Sequence, residues 1–384
     1  MRQTGTDTVT HGVQFRQRRD QMTAIDRRND ATEKTIDPAV AERLDTAIAD
    51  VMTTADVPGA MVGLWWPDER YVHAFGVADR ATGAPMSPDL HHRIGSVTKT
   101  FTITGVLQLV DTANVKLDDP IAKYVDGVPN GEQVTLRQLA RMQSGLPNYS
   151  ATNGFAKTLF GDPKQTVTPR ELLDIAFAEP NEFEPGQGFL YCNTNAILLG
   201  LTVEKVSGQT LPDYVSEHIL TPLRLGDTTF PTGNAFSDPH AHGYTRGIDG
   251  NEVDATDWNP SWAWAAGAMI STLDDLRVWG NALATGVLLS PETQRQRLDM
   301  VAMPHLPPED AYGLGVFDLA GWVGHNGSLP GYQTVVVHRV DEQVTLVIAT
   351  NTDRPAGGGD PSTALANAIT TIVSPDHVYT LSPQ

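Results

Sequence analysis

A single cysteine, Cys192, in 384 residues leaves no intramolecular disulfide, no CxxC metal site and no redox pair. Basic residues are also scarce. Against 46 Asp and Glu stand 27 Lys and Arg, and the net charge of −19 supplies no cluster for nucleic-acid phosphates or for an anionic membrane surface. No run approaches 18 uninterrupted apolar residues, so no membrane-spanning helix is predicted and no membrane span is expected. Metal-binding patterns are missing too: there is no helical H-E-x-x-H, and His240-Ala241-His242 reads as a solvated loop rather than a ligand pair. No metal and no cofactor are expected. No internal repeat is evident, and the low-complexity stretch Pro355-Ala356-Gly357-Gly358-Gly359-Asp360 is a short loop.

Residues 1–36 are polar and carry Arg16, Arg18, Arg19, Arg27 and Arg28 with no apolar stretch behind them, which is not the build of a signal peptide. They are expected to form a disordered leader, the alternative being an arm that contacts another subunit. As written, the chain reads as cytoplasmic; an upstream signal removed from it would make it secreted. The oligomeric state is not legible.

What the chain does have is Ile94-Gly95-Ser96-Val97-Thr98-Lys99-Thr100-Phe101, a hydroxyl and an amine three residues apart. If a helix begins near Ser96, the two share a face and can touch. The helix N-terminus adds free N–H groups and a positive dipole end, both favourable to an alkoxide and to an oxyanion. The same stretch is an apolar helix through Val97, Phe101, Ile103, Val106, Leu107, Leu109 and Val110, so a core helix can carry a nucleophile at its first turn.

The rest of the chain alternates in character. Asp37-Pro38 opens a helix to about Met52, and Ala60 to Trp66 with Tyr71 to Val77 read as a hairpin. Helical patterns then dominate, at Leu136 to Met142, Pro169 to Ala178, Asn195 to Val206, Leu211 to His218 and Asp274 to Ala284. After Tyr312 the period changes to two, giving strands at Gly313 to Leu319, Trp322 to Gly324, Tyr332 to Val340 and Val344 to Thr350 before a helix over Ser362 to Val373. With 40% hydrophobic residues a large core is available. The expectation is one catalytic domain over 37–378: an α/β lobe from about 37–95 and 300–378, and an inserted helical lobe from about 96–299. Sites commonly occupy such a seam.

Two further elements fit a Ser-Lys acyl-transfer site. Tyr191-Cys192-Asn193 offers a phenol that can shuttle a proton to a leaving group and an amide that can bond to substrate and to Lys99. His325-Asn326-Gly327-Ser328 arrives at the end of a predicted strand, with a glycine where substrate must approach and a following N–H to complete an oxyanion hole with that of Ser96. Its imidazole offers a titratable positive charge.

In the order S-x-x-K, Y-x-N, H-x-G, these elements resemble the serine D-Ala-D-Ala carboxypeptidase and class C β-lactamase family. The resemblance extends to Gly76-Val77-Ala78-Asp79-Arg80-Ala81-Thr82-Gly83, Leu107-Gln108-Leu109-Val110-Asp111, Gln143-Ser144-Gly145-Leu146, Glu204-Lys205-Val206-Ser207-Gly208 and Tyr312-Gly313-Leu314-Gly315, roughly residues 40 to 373. It implies an α/β plus all-α, two-lobed, DD-peptidase-like fold, an acyl-enzyme on Ser96, and Lys99 with Tyr191 as the proton-transfer pair. The oxyanion hole would be the N–H groups of Ser96 and Ser328. Substrate-binding positions implied are the aromatic walls Phe155 and Trp262, with Phe317, Asn326 and Gly327.

Two of these depart from the family pattern. Phe317 stands where the secreted carboxypeptidases carry Arg, and Asn326 where they carry Thr, so recognition of a substrate carboxylate is expected to be weakened. The favoured activity is a serine hydrolase or transacylase on an ester or amide of a small molecule, with an amine as a possible acceptor. A D-Ala-D-Ala carboxypeptidase or β-lactamase is the first alternative, and a non-catalytic penicillin-recognising sensor the second.

Overall fold

The computed structural model describes residues 34–304, 307, 310–355 and 359–381; almost all of the expected leader lies outside them. Helix α1 (Pro38–Thr54) begins where the Asp37 carboxylate accepts from the Ala39 N–H at 2.8 Å and Pro38 fills the first turn. Its Leu44, Ile48 and Met52 are buried. Strands β1 (Gly59–Trp65) and β2 (Glu69–Asp79) then form the expected hairpin. A 3₁₀ turn, Gly95–Val97, runs directly into helix α2 (Thr98–Asp111). Helices α3 (Asn193–Ser207) and α4 (Leu273–Thr285) follow. Strands β3 (Phe317–Leu319), β4 (Trp322–Leu329), β5 (Tyr332–Arg339) and β6 (Val344–Thr350) lead to the closing helix α5 (Pro361–Val373).

The main sheet brings both ends of the chain together, because β1 pairs antiparallel with β6 and places Trp65 opposite Thr345. Its order is Lys34–Thr35, β2, β1, β6, β5, β4, β3, Ala311–Tyr312, Val301–Ala302, with the small strand Ala84–Pro85 also on β2. The central strands are apolar on both faces, as a sheet covered on two sides requires. Ala60, Val62, Leu64, Val335, Val337, Leu346 and Ile348 face one core with residues of α1 and α5. Met61, Val336, Val347 and Ala349 face the other, with α2 and α4.

Helix α4 lies within the stretch read as the helical lobe, yet it packs on β5 and β6. Gly280 permits this approach, since a methyl there would meet Val336 and Thr345 at 3.1 and 3.2 Å. Trp279 stacks on Phe101 of α2 with ring centroids 3.9 Å apart and donates to the Thr100 hydroxyl at 2.8 Å. Helix α2, which follows directly on Ser96, is thereby fastened between the sheet layer and α3.

Two strand expectations are corrected. Gly313 to Leu319 is not one strand: the chain turns at Gly315, whose φ is +74° and whose missing side chain makes room for Ile103 of α2. Pairing is confined to Ala311–Tyr312 and Phe317–Leu319. Conversely, the strand expected to end at Gly324 runs on to Leu329, so His325-Asn326-Gly327-Ser328 lies inside β4. Cross-strand pairing with β5 outweighs the glycine there.

Candidate active site

The site is built where the 3₁₀ turn meets β4. Gly95 has φ +51°, and a methyl on it would fall 2.6 Å from the Ser328 nitrogen. A methyl on Gly327 would fall 2.0 Å from the Ile94 carbonyl oxygen and 2.9 Å from the Ser96 nitrogen. Two glycines therefore let the strand and the turn press backbone against backbone. This contact carries the amides of Ser96 and Ser328, the two expected to cradle an oxyanion, to neighbouring positions. β3 pairs with β4 only from Trp322 to Gly324, which leaves the section beyond without β3 as a partner on that side.

Lys99 is fully buried in the first turn of α2. Its Nζ lies 2.8 Å from Ser96 Oγ and donates to the Ala266 carbonyl at 2.9 Å. Burial pulls its pKa from 10.5 down to about 7, because the charged form loses hydration with no carboxylate to replace it. A neutral amine held by Ala266 keeps its lone pair free for the Ser96 proton. That is the arrangement a hydroxyl nucleophile needs.

Tyr191 sits on the other side, its ring 4.9 Å from Lys99 Nζ. Burial holds its phenol well above the ordinary value, and Ser96 is the neighbour that eases this shift. The two hydroxyls do not form a well-aligned bond, so the Tyr191 oxygen is buried without a hydrogen-bond partner. A buried phenol in need of an acceptor, beside a serine hydroxyl, has the chemistry to pass a proton to a leaving group.

The other expected site residues divide. Asn193 does not reach Lys99, whose bonds go to Ser96 and Ala266; its Nδ2 donates to Ser150 Oγ at 2.8 Å and its N–H to Asn148 Oδ1 at 3.1 Å. Those bonds fix the start of α3 just after Tyr191. Phe155 and Trp262 form one aromatic cluster, not two walls, with centroids 5.2 Å apart. Phe155 also meets Tyr149, which donates to the Trp262 carbonyl at 2.8 Å. Phe155 is buried and backs the half-buried Trp262. Phe317 is only 2% exposed and lies in the core, its ring 4.5 Å from His325 and 4.9 Å from Tyr312. It cannot stand against a substrate carboxylate. Asn326 is half-buried, and strand alternation turns it to the face opposite His325 and Gly327.

His325 is not the positive charge expected. It is buried, and the loss of hydration together with the field of Lys99 pushes its pKa from 6.5 down to about 3, so the ring is neutral at ordinary pH. His240 stacks on Phe236 at 4.4 Å, and His242 bonds Asp254 at 2.7 Å. Among the described residues no group of three or more His, Cys, Asp or Glu is placed to hold a metal ion. No helix among them is long and apolar enough to cross a membrane.

Sequence reasoning missed Ala266, Gly95 and Tyr312. Ala266 acts through its backbone carbonyl, which no side-chain motif announces. Gly95, directly before the serine, and Tyr312, opening the Tyr-Gly-Leu-Gly run, were visible in the sequence, but only folding gives them neighbours.

A two-lobed α/β fold in which buried Lys99 contacts half-buried Ser96, with Tyr191 beside the lysine, is the build of the penicillin-recognising serine hydrolases. The chain belongs to the Beta-lactamase family, which it matches over residues 44–369. It is similar to the D-stereospecific amidohydrolase of a Streptomyces species, at 30% identity and a TM-score of 0.78 over 88% of this chain and 98% of that one. It also resembles the D-amino acid amidase of Ochrobactrum anthropi, at 27% identity and a TM-score of 0.75 over 88% and 97%. The D-aminopeptidase of Brucella anthropi is 29% identical over 307 residues, 77% of this chain. A penicillin-binding protein of Bacillus subtilis is 25% identical over 302 residues, 74% of this chain. The chain spans 56% of the length of the former and 66% of the latter.

Proposed function

We propose that this protein is a serine acyl-transfer enzyme that cleaves an amide or ester of a small acyl donor through an acyl-enzyme on Ser96. The observation that carries the reading is the 2.8 Å contact between Ser96 Oγ and a lysine whose pKa is brought to about 7. In this mechanism Ser96 Oγ attacks the carbonyl carbon as its proton passes to neutral Lys99. The N–H groups of Ser96 and Ser328 receive the oxyanion. As the tetrahedral species collapses, the Tyr191 phenol donates to the departing nitrogen or oxygen and is reprotonated from Lys99. Water, or an amine acceptor, then attacks the acyl-enzyme and regenerates Ser96.

The D-stereospecific amidohydrolase and D-amino acid amidase likenesses support D-amino acid amides as the donor class. The penicillin-binding relative keeps D-Ala-D-Ala peptides and β-lactams as the second class to test. An aryl fluorophosphonate should add one mass increment to the peptide bearing Ser96, and Ser96→Ala should lose both label and turnover. D-phenylalanine amide should exceed its L-isomer in kcat/KM by at least about tenfold, the ratio produced by about 1.4 kcal/mol of differential transition-state binding. Labelling elsewhere with turnover retained in Ser96→Ala would exclude the mechanism. Equal rates on the two isomers would exclude the stereochemical assignment alone.

A further inference from the structure

Around His325 every ring nitrogen is already committed. Nδ1 lies against the Asn326 carbonyl oxygen, which can only accept, so Nδ1 must carry a hydrogen. Nε2 lies 3.2 Å from the hydroxyl of Tyr312. Tyr312 is completely buried, which holds its phenol protonated, so that hydroxyl can donate to Nε2. The remaining groups facing the imidazole are the rings of Phe317 on β3 and Tyr191 before α3, and the charge of Lys99 on α2. None of these groups is a carboxylate, and the cation among them opposes a second positive charge.

We propose that Tyr312 is a positioning residue that, by donating to Nε2, completes the hold begun by the Asn326 carbonyl on His325 as the neutral Nδ1–H tautomer, and that this lock leaves no positive charge on the leaving-group side of the site, beside Tyr191, so that the enzyme takes acyl donors without a free carboxylate there. The substrate statement rests on the reading of Ser96 as nucleophile; the tautomer statement does not. Charging His325 would place a hydrogen on Nε2 against the Tyr312 hydroxyl, forcing that hydroxyl to turn and accept inside the aromatic cluster of Phe189, Tyr191 and Phe317. The lock also supplies a reason for the weakened carboxylate recognition expected from the sequence, a reason that Phe317, sunk in the core, cannot supply.

The test begins with the tautomer itself. Long-range ¹H–¹⁵N spectra of selectively labelled wild-type protein should show His325 as Nδ1–H, with no titration from pH 5 to 8. An Nε2–H ring, or a ring that charges in that range, would overturn the lock whatever the enzyme's activity. In Tyr312→Phe, Nδ1 should keep its hydrogen on the Asn326 carbonyl while the Nε2 resonance moves downfield, as an acceptor nitrogen that has lost its donor does; an unmoved Nε2 resonance would take Tyr312 out of the role. If that variant does not fold, the wild-type spectrum still decides. For the substrate class, wild type should cleave an acyl-D-Ala-D-Ala amide about ten- to a hundredfold faster in kcat/KM than the matching free acid, the range for one lost hydrogen bond to charge. A wild-type preference for the free acid, with Ser96 labelled normally, would refute the substrate assignment and leave the Ser96 mechanism standing.

Discussion

The pH dependence of turnover tests the centre of the mechanism, and its size follows from the burial of Lys99. At its ordinary value of 10.5 a lysine is neutral in about one molecule in 3000 at pH 7. Pulled down to about 7, Lys99 is neutral in about half of the molecules, a gain of roughly a thousandfold in active base. Because the base works only without its proton, kcat/KM should fall about tenfold per pH unit below pH 7 and level off above it. Lys99→Arg keeps the charge but cannot lose it, and should lower kcat at least a hundredfold. The same shift has a stability counterpart. The folded pKa lies below the unfolded one, so the unfolded chain binds more protons between about pH 7 and 10.5 and stability rises across that window. Below pH 7 the full cost of burying the ammonium is present, on the order of 5 kcal/mol for the shift cited. Lys99→Met should therefore be inactive yet more stable than wild type at pH 6, with the difference shrinking toward pH 10. Stopped-assay kcat/KM profiles and urea unfolding at both pH values measure this. A rate profile flat from pH 5 to 9, or Lys99→Arg retaining a tenth of the activity, would refute Lys99 as the base.

Tyr191→Phe removes the buried phenol without changing the ring and should lower kcat at least about a hundredfold with amide substrates, read by steady-state kinetics. It should matter less for an activated ester, whose leaving group needs no proton. Gly327→Ala drives a methyl to 2.0 Å from the Ile94 carbonyl oxygen and separates the Ser96 and Ser328 amides. Its kcat should fall about a hundred- to a thousandfold, the range for a lost oxyanion donor, with a lowered Tm. Trp279→Ala empties the stack on Phe101 and leaves the Thr100 hydroxyl without its donor. Chemical denaturation should show a loss of about 3–5 kcal/mol.

The sequence by itself determined the elements whose periodicity is strong and the residues whose spacing is local. The three-residue step from Ser96 to Lys99 specifies contact once a helix starts there, and the short β-branched apolar runs in Tyr332–Arg339 and Val344–Thr350 give those strands, though not which face meets which core. Tyr191 and His325 were legible as candidates because their motifs fall in the right order along the chain. What those side chains meet was decided only in three dimensions. A pKa near 7 for Lys99 arises from burial beneath α3, β4 and the Ala266 carbonyl, segments between about 90 and 230 residues away in sequence. Tyr312 and Phe317 reach His325 because a glycine turn at Gly315 folds their two short strands beside β4, and that contact sinks Phe317 into the core and leaves the imidazole neutral. Local spacing names a chemical group; its charge is set by the solvent and partners that tertiary packing removes or supplies.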